Sequence, residues 1–167
     1  MSYPKKVIII AAIFVSVLGM LFHFIYDWSG QNTFVGLFAP VNESIWEHMK
    51  LLFFPMLITS GFVCYLLREQ LPGLSSSFPA GLLTGIWLIP VFFYSYRGIL
   101  GFGYPAIDIS TFYLSVILAF IIVYRCAASD RLSHWKWVLI ALIILTAAGF
   151  FLFTYDPPSL GIFINLG

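Results

Sequence analysis

Charge is scarce in this chain. Asp, Glu, Lys and Arg make up 9% of the 167 residues and leave a net charge of only +1, which excludes a nucleic-acid partner, since that needs a strongly basic surface. Cysteine is rarer still. The two present, Cys64 and Cys126, have neither metal nor redox spacing; they are expected as small buried apolar residues near equivalent ends of two helices. Short alternating apolar segments are missing, which excludes a membrane β-barrel. No internal repeat or low-complexity tract occurs, and this disfavours a transporter built from inverted repeats within one chain. No small-residue A-x-A cleavage site follows the first apolar stretch, so that stretch is expected to persist as a helix rather than leave as a signal peptide.

What abounds is hydrocarbon: 61% of residues are hydrophobic and the mean hydropathy is +0.99. Five apolar stretches, approximately 7–27, 44–67, 78–97, 104–124 and 137–155, each reach the ~20 residues that a helix needs to cross about 30 Å of hydrocarbon. Backbone facing lipid must satisfy its own hydrogen bonds, so helices are the expected form. The predicted fold is all-α: one transmembrane domain over residues 1–167, a polytopic five-helix bundle in contact with the lipid bilayer.

Six of the eight cations, Lys5, Lys6, Arg68, Arg125, Arg131 and Lys136, fall at one set of helix ends, and only Lys50 and Arg97 at the other. Cytoplasmic loops retain Lys and Arg, so the N-terminus is expected inside and the C-terminus extracytoplasmic. The acids divide the other way, with Asp27, Glu43, Glu47, Asp108 and Asp156 at the outer ends. Beyond Asp156-Pro157-Pro158, which closes the last helix, the apolar tail SLGIFINLG either lies along the membrane surface or folds back over the helix ends.

At 1.5 Å per residue, a helix starting near Val7 carries His23 about 24 Å along its axis, below the outer interface. Asp27 follows four residues later on the same face. In PVNESIWEHMK, residues 40–50, a turn of 100° per residue brings Glu43, Glu47 and Lys50 within about 60° of one another, with Ser44 and His48 on the adjoining arc. A structural account competes here. Ser44-x-x-Glu47 fits a capping box, acids suit a helix N-terminus, and Glu47 can pair with Lys50; none of this explains His48. The tetrapeptide EHMK holds one histidine, so the H-E-x-x-H zinc motif is absent. Tyr94, Tyr96 and Arg97 read as interface residues, with Arg97 free to snorkel. Asp108, one turn past Tyr104-Pro105, is either a helix-dipole partner or a pocket wall. Pro55 and Pro90 interrupt two spans, and Gly81-x-x-x-Gly85 offers a close-contact helix face.

Four helices thus place ionisable groups at one membrane depth, which predicts a polar pocket at the extracytoplasmic face. Intramembrane ionisable groups are costly and mark function. His23, Asp27, Glu47 and His48 are the candidate catalytic groups and ligands of a divalent metal ion, positioned to activate water against a small or lipid-derived substrate. Glu43, Arg97, Asp108 and Asn42 are the candidate ligand-binding residues. Two alternatives remain open. One is a non-catalytic partner that docks another membrane protein or a second copy of itself; the other is a small ion-coupled transporter in which Asp27, Glu43, Glu47 and Asp108 exchange protons.

The segments HFIYDWSGQN, FAPVNESIWEHMKLLFFPM and FYSYRGILG together resemble a family of small bacterial integral-membrane proteins of unknown function, most densely over residues 23–55 and around the pattern PVNES-x-WEH-x-K. The resemblance implies a one-domain, multi-pass protein of the bacterial cytoplasmic membrane. It implies no activity and no catalytic residue.

Overall fold

A computed structural model of the chain describes residues 1–165, apart from the side chain of Asp130; Leu166 and Gly167, which end the tail, lie outside the described residues. The described residues form helices and no strand: α1 (Tyr3–Trp28), α2 (Thr33–Gly36), α3 (Ile45–Leu67), α4 (Leu74–Leu100), α5 (Pro105–Ala127) and α6 (Lys136–Phe153). Short 3-10 helices at Asp130–Trp135 and Gly161–Phe163 lie before α6 and in the tail. All but α2 are long and apolar enough to cross a membrane. The expected spans therefore recur with ends moved by a few residues, as helix termini commonly do.

Local chemistry sets those ends. A proline occupies the first turn of α1 and of α5, where its missing N–H would have had no helical partner. Ser44 caps α3 by accepting from the Glu47 N–H at 3.4 Å, as the capping box anticipates. Gly101 closes α4 at φ +76°, a left-handed conformation that favours glycine. Asn32 caps α2, its Oδ1 accepting from Phe34 and Val35.

The helices α3 and α4 form the centre: α1 packs on α3 and α5, α5 on α4, and α6 mainly on α4. Met49, Leu52, Phe53 and Met56 of α3 are wholly enclosed, whereas α6 buries only Phe150 and exposes Ile144, Leu145 and Leu152. Such an apolar outer face is what lipid covers. Close approaches rely on small residues. A Cβ at Gly81 would lie 2.7 Å from the Ala119 carbonyl oxygen, and one at Gly85 2.8 Å from the Ala119 Cβ. The small-residue pair of α4 therefore serves the chain's own α5. At Gly19 of α1 a Cβ would meet the Leu51 carbonyl oxygen at 2.5 Å and the Phe112 ring at 2.6 Å. Cys64 and Cys126 are free and half-buried, less enclosed than expected because both lie near helix ends.

At one end of the bundle, the acidic end, α1, α4 and α6 finish and α3 and α5 begin; Asp27, Glu43, Glu47 and Asp108 cluster there with Lys50 and Arg97. The tail folds back over it. Phe163 packs on Trp46 and Phe153 with ring centroids 5.0 and 5.7 Å apart, and the Asn165 Oδ1 accepts the Glu43 N–H at 3.1 Å.

Candidate functional site

The first turns of α3 divide their polar residues between two sides. On the side of α2 and α6, Lys50 is completely enclosed and spends its three donors on the Glu47 Oε2 at 2.7 Å, the Gly36 carbonyl at 3.0 Å and the Thr154 Oγ1 at 2.6 Å. Glu47 Oε2 also accepts the Val41 N–H at 3.0 Å. Thr154 passes its own proton to the Phe150 carbonyl at 2.5 Å. One enclosed cation thereby joins α2, α3 and α6, and only Glu47 Oε1 in this group lacks a partner among the described residues.

The other side carries histidine. His48 Nδ1 lies 2.9 Å from the Ser44 carbonyl, an acceptor, so Nδ1 carries a proton and Nε2 is the nitrogen that faces Glu43. The Nε2–Oε2 distance is 3.3 Å. From α1, His23 Nε2 approaches the other oxygen of Glu43 to 3.8 Å, and the two imidazole centroids are 5.4 Å apart. Glu43 itself lies just before α3, in a turn where Asn42 Oδ1 accepts the Ser44 N–H at 2.9 Å.

One donor atom from each of His23, Glu43 and His48 falls within 4.8 Å of the others. A tetrahedral ion with bonds of about 2.0–2.1 Å holds its ligand atoms roughly 3.3 Å apart. His48 approaches Glu43 Oε2 to 3.3 Å and His23 approaches the other oxygen, Oε1, to 3.8 Å, so these two lengths belong to different oxygens of the carboxylate. One donor from each residue could hold a small divalent ion, with a fourth position left open, once side-chain rotation draws the three in from a spread of up to 4.8 Å. The His48 hydrogen bond to a backbone carbonyl is the kind of outer support that fixes a metal-binding tautomer.

The Glu43 carboxyl is held below its usual range, chiefly by its hydrogen bond with His48, which outweighs the effect of burial. A lowered folded value means that the stabilisation is present above the ordinary value of 4.5 and is lost as pH falls through the folded value. Melting curves of wild type and Glu43→Gln should therefore differ most near neutral pH and converge below that ordinary value. A difference that stays constant down to acid pH would show that Glu43 contributes no charge interaction.

Across from the histidines, Asp108 in the first turn of α5 accepts from Arg97 Nη2 at 3.3 Å and from the Tyr96 hydroxyl. Tyr96 in turn accepts from Arg97 Nε at 3.2 Å and the Tyr104 N–H at 3.3 Å, while the guanidinium stacks on Phe93 at 4.0 Å. Two adjoining cavities, of about 170 and 370 Å³, separate this group from the histidines, and Glu43, His48 and Asp108 line both. Arg97 borders the smaller and His23 the larger.

Of the anticipated residues, His23, Glu43, His48, Arg97 and Asp108 come together. Asp27 does not: it is exposed in the last turn of α1, beyond the cavity lining. Glu47 is drawn to the opposite side of α3 by Lys50, and Asn42 serves its own turn. The anticipated ligand quartet thus contributes its two histidines, and Glu43 stands where Asp27 and Glu47 were expected. Sequence reading missed Tyr96, whose ring looked like an interface aromatic.

The profile of a family described as "Family of unknown function (DUF6512)" matches residues 1–166. The chain belongs to this family. No curated protein and no solved structure matches it. DUF6512 membership agrees with the family resemblance at the level of an unassigned function, and the chemistry of the site rests on its own geometry.

Proposed function

We propose that this DUF6512 protein is a metal-dependent protein of the membrane, in which His23, Glu43 and His48 hold a divalent transition ion at the extracytoplasmic face. The observation that carries the reading is the convergence of two imidazoles from separate helices on one carboxylate, with His48 Nδ1 committed to a carbonyl. A cation shared by the three side chains would satisfy both imidazoles and the carboxylate at once, and two imidazoles with one carboxylate suit zinc, manganese or iron. Water in the open fourth position would be acidified to a pKa near ~7, which supplies a hydroxide for hydrolysis. Support for the sidedness comes from the six cations gathered at the far end.

Metal analysis of the purified protein tests this. About one ion per chain is expected in wild type and in Asp27→Asn, with at least a tenfold loss of affinity in His23→Ala and His48→Ala. A wild-type protein that stays metal-free after reloading with zinc, manganese or iron overturns the reading and leaves a protonated His48–Glu43 pair in its place.

A further inference from the structure

The larger of these two cavities is lined by α1, α3 and α5, with α1 and α5 on either side of its opening, and its lining is divided by chemistry. His23, Glu43, His48 and Asp108 make the polar part, and Phe24, Ile109 and Phe112 are among the apolar part. Phe24 and Ile109 are also 45% and 46% exposed, so both stand at the mouth. They continue exposed apolar faces along their helices, through Leu21 and Val17 on α1 and through Tyr113 and Ile117 on α5, at the spacing of one helical face. The mouth is therefore framed by side chains of the kind that lie against acyl chains. A cavity of about 370 Å³ is within the range of roughly 300–1,000 Å³ typical of small-molecule sites.

The smaller cavity has a different character. Arg97 is held in place by Phe93, Tyr96 and Asp108, yet a guanidinium carries five N–H donors and only two of Arg97's are engaged among the described residues. A fixed guanidinium with donors to spare suits a phosphate or carboxylate oxygen. With a divalent ion present, Glu43, Asp108 and Arg97 leave one net positive charge around the cavities, and Asp27 lies outside their lining.

We propose that the ligand of this site is an acyl-chain amphiphile with an anionic headgroup, admitted sideways from the bilayer between α1 and α5. Its chain lies on Phe24, Ile109 and Phe112, and its phosphate or carboxylate reaches Arg97 and the His23–Glu43–His48 ion. This rests on the metal reading for the second of those headgroup contacts and on Arg97 alone for the first.

Native mass spectrometry from detergent, with metal-loaded and chelator-treated protein in parallel, tests it. The probes are lysophosphatidate, oleate, an uncharged monoacylglycerol and inorganic phosphate. Wild type should retain one molecule of an anionic amphiphile at least tenfold more tightly than the monoacylglycerol, and inorganic phosphate should compete only weakly. Ile109→Trp, which narrows the mouth, should lower retention about tenfold while metal content and melting temperature stay at wild-type values. Arg97→Gln should reduce the preference for anionic over uncharged chains in both samples. Equal retention of charged and uncharged amphiphiles, phosphate binding as tightly as lysophosphatidate, or an Ile109→Trp protein with unchanged retention overturns the proposal. Loss of the metal reading alone would appear as identical lipid retention with and without chelator, with the Arg97 and Ile109 effects intact.

Discussion

Replacing Lys50 with methionine will destabilise the protein by about 3–5 kcal/mol, the usual cost of removing one partner from a buried ion pair. The loss is large because the ammonium has no solvent substitute. Lys50 is fully enclosed, and its removal strands the Glu47 carboxylate as well as the Gly36 carbonyl and the Thr154 hydroxyl. Glu47 already has one oxygen without a partner among the described residues, so it has no reserve contacts to fall back on. Adding Glu47→Gln to Lys50→Met should recover a substantial part of the loss. The amide can still accept the Val41 N–H, and no uncompensated charge remains. Thermal unfolding of the single and double variants in detergent checks this; a double variant that costs the sum of the two singles would show that the pair is not coupled.

Gly19→Leu will act on the fold and the site together. Even a methyl group there meets the Leu51 carbonyl oxygen at 2.5 Å, and backbone cannot rotate aside as a side chain can. Overpacking of this kind costs typically about 1–3 kcal/mol, and relief requires α1 to move away from α3. His23 stands one turn along the same face of α1, and Leu51 and Phe112 line both cavities. The separation therefore pulls His23 from Glu43 and His48. Lower thermal stability is the expected result, accompanied, if the proposed metal site is correct, by loss of its ion. A Gly19→Leu protein with wild-type metal content would mean that the packing of α1 on α3 does not set the position of His23.

The spans were legible because a twenty-residue apolar run has few alternatives in lipid, and the crowding at the acidic end was legible from where acids fall relative to those runs. Rotation about the helix axes was not. Glu43 and Glu47 occupy one arc in a helical projection, yet Glu43 precedes the first residue of α3, so the projection does not apply to it. Which acid turns toward Lys50 depends on Gly36 and Thr154, contacts 14 and 104 residues away in sequence, and no local pattern encodes them. Asp27 shares a face with His23, as its spacing required, but it is exposed at the end of α1 and outside the cavity lining. The four-residue α2 is too short to display a period, and Tyr96 could not be told from the aromatic residues that line membrane interfaces.

The Asn165 side chain that holds the Glu43 backbone is synthesised 122 residues after it, and Thr154, which completes the Lys50 cage, follows Lys50 by 104. During biosynthesis the turn before α3 therefore gains its last backbone contact, and Lys50 its last acceptor, only after α6 and the tail have been made. A chain that stopped after α5 would hold His23, Glu43 and His48 but would leave Lys50 without Thr154 and the Glu43 N–H without Asn165.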